Sequence, residues 1–140
     1  MELVNLQDFE TAAKGKMLPQ HFDYYAGGAE DEISMRANES SFSLIKLHQR
    51  VLCNIKSVDT TAEILGETQS MPVMIAPMAF QGLAHPDAET AMVRAAGETG
   101  VIMMLSTLSN KSLEDVLAEA SAPVWFQIYM YKEKRINAEL

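Results

Sequence analysis

The sequence has a single cysteine, Cys53, so no disulfide can close within the chain and no cysteine pair has zinc-ligand spacing. Basic residues are scarce. Lys and Arg number 11 against 19 Asp and Glu, and the net charge of -8 argues against nucleic acid or an anionic membrane surface as a partner. The opening MELVNLQDFE lacks the basic and apolar regions of a signal peptide. The longest apolar run, MPVMIAPMAF, is too short to span a bilayer. Neither G-x-G-x-x-G nor G-x-x-x-x-G-K-[ST] occurs, so the usual phosphate-binding loops are missing. Repeats, low-complexity segments and obvious linkers are missing too. A soluble intracellular protein is the expectation these absences leave, and the Asn-x-Ser triplets at Asn38 and Asn110 read as chance.

What is present suits a globular domain. The chain has 140 residues, 48% of them hydrophobic, enough for one domain with a real core. Residues 5–16 read as a helix with Asn5 as cap and Leu6, Phe9, Ala12 and Ala13 on one face. In FDYYAGGAEDE, Pro19 upstream suits a helix start and Gly27 a helix stop. Glu30, Asp31 and Glu32 then suit the first turn of a helix over about 29–44. On this local reading Tyr24 and Tyr25 are half-buried aromatics. The piece VLCNIKSVDTTAEILGETQSM reads as short β-prone stretches with Gly66-Glu67 as a turn.

From Met71 the pattern changes. PVMIAP is wholly apolar, as in a strand buried on both faces. HPDAETAMVRAAGETG reads as a helix with Asp87 and Glu89 in its first turn and Gly100 at its end. Its apolar stripe is Ala88, Ala91, Met92, Ala95 and Ala96. VIMML is a second buried strand, and SLEDVLAEA a helix whose Ser112-x-x-Asp115 is a capping box. VWFQIYMY is a third strand, and KEKRINAEL begins a third helix. The order β-α-β-α-β-α predicts a parallel sheet, either an open doubly wound sheet or an eight-stranded barrel.

Ligands of parallel α/β folds bind at the carboxyl ends of strands, and the polar residues gather there. The first strand runs into Pro77-Met78-Ala79, the second into Ser106-Thr107, and the third carries Gln127 and Tyr129. Strand alternation puts Gln127 and Tyr129 on one face, where an amide and a phenol could hydrogen-bond a flat heterocycle. Equally, Gln127 could cap loop backbone while Tyr129 packs.

Taken together, DYYAGGAEDE, MPVMIAPMAFQGLAHPDAE, GVIMMLSTLSNKSLEDV and WFQIYMYK resemble, in order and spacing, the FMN-dependent 2-hydroxy-acid oxidases and dehydrogenases. The resemblance covers essentially the whole chain. It implies the N-terminal part of a (β/α)8 barrel, about three of its eight strands: a helical layer and hairpin over 1–68, then three βα units over 69–140. It implies FMN as cofactor and a small L-2-hydroxy acid, lactate or glycolate, as substrate. Tyr24 matches the tyrosine that holds the substrate carboxylate, and Tyr129 one that faces substrate and flavin. Pro77, Met78 and Ala79 match the loop whose backbone lies against the flavin. Ser106 matches a hydroxyl near the reactive edge of the ring, and Gln127 an amide bonding its pyrimidine part. The resemblance implies oxygen or an electron carrier as acceptor and a homo-oligomer, a tetramer, when full length; the expected compartment is cytoplasmic, or peroxisomal for a full-length plant or animal protein.

Two positions depart from plant glycolate oxidases. Met78 stands in place of threonine and removes a hydroxyl near the flavin. Leu108 stands in place of tryptophan at the end of the substrate pocket, where it either leaves room for a methyl group and favours lactate or merely repacks the loop; a methylene there is worth about 1–3 kcal/mol.

His21, His48 and His85 match no catalytic position and read as structural or solvated; Cys53 reads as a packed thiol, and the ten methionines as core filling. A complete barrel takes about 250 residues. The histidine base, the carboxylate-binding arginine and the flavin-stabilising lysine of the family are expected beyond Leu140. Without its base an enzyme loses about 10²–10⁴-fold in rate, so the isolated chain is expected not to turn over. Its apolar sheet edge is expected to favour aggregation. The competing readings are a non-catalytic remnant or interaction module with no flavin binding, a different FMN barrel, and a doubly wound binding domain. The helical segment around Tyr24 and the missing phosphate loop disfavour the last two.

Overall fold

A computed structural model describes residues 3–139, which divide into two compact units between Val58 and Asp59.

The first unit is helical. Helix α1 spans Leu6–Lys14, and Asn5 caps it by accepting a 2.9 Å bond from the Asp8 amide. Helix α2 spans Pro19–Ala26 with proline in its first turn, where a missing N–H costs nothing. Helix α3 is shorter than expected, Ile33–Ser40, and is followed by a 3₁₀ turn over Ser41–Leu44. Glu30 and Glu32 are left-handed, at φ 49° and 56°, so the acidic run precedes the helix instead of forming its first turn. Glu32 serves that junction through its side chain, accepting from the Gly28 amide at 3.1 Å and pairing with Arg36 at 3.8 Å. No helix or strand forms over 45–61. Cys53 lies in that stretch and is exposed, so the expected packed thiol is not found.

The second unit begins with strands β1, Ala62–Ile64, and β2, Glu67–Gln69, paired antiparallel. Their turn is Leu65-Gly66, one residue earlier than expected. Both residues have positive φ, 51° and 86°, which suits the right-handed twist of a two-residue hairpin. The hairpin falls in the second compact unit, with the parallel layer. Its end is sewn there: the Ser70 amide bonds Gly100 O at 2.9 Å, and the Ile102 amide bonds buried Gln69 Oε1 at 2.9 Å.

The expected first barrel strand, PVMIAP, is reduced to one parallel bridge between Ile75 and Met103. Pro72 and Pro77 lack the N–H groups that would lengthen the ladder. Helix α4, Ala88–Thr99, stops at Gly100, whose φ of 68° is the left-handed stop a glycine permits. Strand β3, Met103–Ser106, pairs in parallel with β4, Val124–Gln127, in the register Ser106 opposite Gln127. Strand β4 ends at Gln127, short of the expected YMY. Helix α5, Leu113–Ala118, crosses between them, and the Ser112 hydroxyl caps it through the Asp115 amide at 3.1 Å. Helix α6 spans Lys134–Glu139.

The core is Val93 and Ala96 of α4, Val101, Met103 and Leu105 of β3 and its approach, and Val116 of α5. The inward face of α4 is rotated from the expected stripe: Ala88, Glu89, Val93 and Ala96 are buried. Ala91, Met92 and Ala95 instead line an apolar pocket of about 240 Å³ with Met78, Gln81 and His85. Met103 is core, whereas Met130 is 77% exposed, so the methionines do not share one role. On the outside, Arg94 joins α4 to the end of α5 through Glu119 at 3.0 Å, and that bond raises the Arg94 pKa above its ordinary value. Among the described residues no helix is long and apolar enough to cross a membrane.

Candidate functional site

Parallel pairing puts the carboxyl ends of β3 and β4 side by side, so Ser106 and Gln127 meet. The Ser106 hydroxyl, buried in its own strand, donates to Gln127 Oε1 at 3.3 Å and accepts from the Leu108 amide at 3.1 Å. Thr107 Oγ1 donates to Gln127 O. These bonds fix the amide's orientation. Its oxygen is engaged, and among the described residues no hydrogen bond engages its nitrogen. A half-buried carboxamide held this way offers two N–H donors to a ligand with an acceptor edge.

Two loops flank that pair. The first, Pro77–Ala79, leaves the Ile75 bridge without helix or strand and turns at Phe80, left-handed at φ 57°. The Phe80 amide donates to Leu108 O at 3.1 Å, so the segment after the first bridge and the segment after β3 are joined backbone to backbone. Leu108 is 41% exposed at this junction. Farther along, the Gly82 amide donates to Asn110 Oδ1 at 2.7 Å. The Asn110 and Lys111 amides donate to the two carboxylate oxygens of Glu89 at 3.0 and 3.2 Å.

The structure thus brings Met78, Ala79, Ser106, Leu108 and Gln127 to adjoining strand ends. Tyr129 is different: β4 stops two residues before it, so strand alternation does not put it on Gln127's face, and it is 53% exposed. Tyr24 lies in α2 of the first unit, 49% exposed, with its ring edge-on to Tyr25 at 5.1 Å between centroids. Glu89, Asn110 and Phe80 were not expected at the site. Glu89 carried a readable signal: it shares a helical face with Val93 and Ala96, at i, i+4 and i+7, and that face is the buried one.

The model of the family described as FMN-dependent dehydrogenase matches residues 13–140. Glycolate oxidase of Spinacia oleracea is 41% identical over 140 residues, all of this chain and 38% of that protein. Glycolate oxidase 1 of Zea mays is 40% identical over 139 residues, again 38% of its length. Among solved structures, a Pediococcus acidilactici protein described as a lactate oxidase aligns with TM-score 0.90 and 34% identity, over 99% of this chain and 39% of its own. A mandelate oxidase aligns with TM-score 0.91 and 35% identity, over 99% of this chain and 40% of its own. The chain therefore spans about two fifths of the length of the relatives it matches.

Proposed function

Because the chain belongs to the FMN-dependent dehydrogenase family, matched over residues 13–140, we propose that it supplies the flavin-ring side of a barrel enzyme that oxidises a small L-2-hydroxy acid to the 2-oxo acid. FMN is the cofactor that membership indicates. One observation carries the site assignment: the Ser106–Gln127 pair, whose amide nitrogen is left as a donor at the ends of two parallel strands.

The donor set suits the ring of FMN. Gln127 offers N–H groups to its pyrimidine oxygens and nitrogens, and Ser106 holds that amide in place. The backbone of Pro77, Met78 and Ala79 would lie against the ring, and the small Ala79 allows close approach. None of these five residues is cationic, so the phosphate must be held by other groups. When bound, FMN supplies the two-electron acceptor for oxidation at the substrate α-carbon.

The chain's own residues would select and orient the substrate. By family match the Tyr24 hydroxyl would hold the substrate carboxylate, and Tyr129 would face substrate and flavin. Leu108 bounds the far end of the pocket and admits a methyl group, favouring lactate over glycolate by about 1–3 kcal/mol. No residue among 1–140 matches the family's proton-accepting histidine, carboxylate-binding arginine or flavin-stabilising lysine. The isolated chain therefore binds the ring without turnover.

Loading the 140-residue chain with FMN and adding L-lactate or glycolate without oxygen tests both parts. Bound flavin that stays oxidised is the expected result. Bleaching would contradict the assignment of the base to residues outside this chain, and absence of flavin binding would favour the non-catalytic reading.

A further inference from the structure

Glu89 is a carboxylate with no exposure at all, in a chain whose other acidic groups are largely solvated. A buried carboxylate is costly unless its oxygens are bonded, and here each oxygen has a backbone partner: Asn110 N at 3.0 Å and Lys111 N at 3.2 Å. Those amides belong to the loop that follows Ser106 and Leu108. Asn110 then reaches across with Oδ1 to the Gly82 amide, at 2.7 Å. Gly82 follows Pro77–Ala79 and Phe80, and Phe80 returns a bond to Leu108 O at 3.1 Å. The path is closed: α4 to the second loop, the second loop to the first, and back.

From this closure we propose that Glu89 is a positioning residue, which couples the Pro77–Leu83 loop to the Ser106–Lys111 loop through Asn110 so that both present their groups to the ring as one body. The proposal rests on the flavin-ring reading for its purpose, but the coupling itself is a property of the flavin-free chain. Gly82 is shaped for the link, because a Cβ there would lie 2.9 Å from Asn110 Cγ and Oδ1. The hydrogen-bonded route from Glu89 to Gly82 runs through Asn110, while α4 also packs directly against Gln81–Leu83, so the Asn110→Ala variant separates the two routes.

Amide hydrogen exchange on the flavin-free 140-residue chain, wild type against Glu89→Gln, Glu89→Ala and Asn110→Ala, reads that effect directly. For Glu89→Ala, exchange should rise about tenfold or more at Asn110 and Lys111, and also at Gly82, the scale set by losing charge-assisted bonds. The Met104 amide, bonded to Ile75 O, should not change. Glu89→Gln keeps one acceptor and should restore part of the protection. Asn110→Ala, at an exposed position, should release Gly82 while leaving Lys111 protected. Unchanged Gly82 exchange in both Glu89 variants overturns the coupling. A uniform rise through α4 and β3 overturns it as well, since Glu89 would then serve stability alone.

FMN titration of the same variants separates this from the functional reading. If wild type binds FMN, Glu89→Ala should weaken binding by about the same factor as the loop opening, with Glu89→Gln intermediate. Equal affinity in all variants overturns the positioning role. A wild-type chain that binds no FMN sinks the functional reading, and the exchange data still decide the coupling.

Discussion

The Ser106 hydroxyl lies 3.3 Å from Gln127 Oε1 and ties the carboxyl end of β3 to that of β4. The bond makes a local statement about chemistry. A serine proton spent on the amide oxygen leaves the amide nitrogen to face a ligand, and the Leu108 amide holds the serine oxygen from the other side at 3.1 Å. A neutral, two-donor group at a strand end is suited to recognising a heterocycle edge and unsuited to nucleophilic work, and among the described residues no base hydrogen-bonds to Ser106.

Replacing Gln127 by Leu removes the donors while keeping the volume close. FMN affinity should fall about tenfold, as for one or two neutral hydrogen bonds, and stability by about 1 kcal/mol because the buried Ser106 hydroxyl loses its acceptor. Ser106→Ala frees the amide and leaves the Leu108 N–H without its acceptor, so it should weaken FMN binding less and cost about 1 kcal/mol of stability. Fluorescence titration and thermal unfolding of the two variants check the order.

Because the residues proposed to face the ring include no cation, FMN and riboflavin should bind the 140-residue chain with affinities within about threefold of each other at moderate salt. Competition between the two flavins measures the ratio. A hundredfold preference for FMN would show a phosphate site within these residues.

Gly82→Ala should be poorly tolerated, since its new Cβ would sit 2.9 Å from the Asn110 side chain. Either Asn110 swings away and the link to Gly82 is lost, or the loop shifts. The expected cost is about 1–3 kcal/mol, read by chemical denaturation, with Gly66→Ala as a contrast that meets strain in φ but no neighbour within 4 Å.

Asp59 accepts bonds from the Thr61 amide at 2.9 Å and its hydroxyl at 2.8 Å, and these hold its pKa below the ordinary carboxylate value. The sign follows from the lowered folded value: the contribution is present above the unfolded pKa and is lost as pH falls through the folded one. Stability of the Asp59→Asn variant should therefore depend less on pH below about 4 than that of the wild type, near the ordinary carboxylate value. Unfolding by denaturant at pH 3 and pH 6 tests it.

What the sequence made legible was mostly local. Asn5 and Ser112 announce their helices because a cap needs only its own next turn. Gly100 announces an end because few other residues accept its backbone angles. The alternation of apolar runs with helical stripes was enough to expect parallel strands, and Ser106 and Gln127 do meet. Failures came where tertiary context decides. PVMIAP is as apolar as a buried strand but its flanking prolines leave one bridge. Glu30 and Glu32 have a helix-start composition and left-handed backbones. Glu89 reads as an ordinary first-turn charge until its two amide partners, some twenty residues away, are folded against it. Tyr129 shows the limit of alternation, which holds only as far as the strand does.

The central claim is that Gln127 and the loops beside it hold a flavin ring. FMN titrated into the purified 140-residue chain, followed by flavin fluorescence, tests it most directly. Saturable quenching in the wild type that weakens about tenfold in Gln127→Leu is the predicted result. Fluorescence that titrates as free flavin, or binding untouched by Gln127→Leu, would contradict the account.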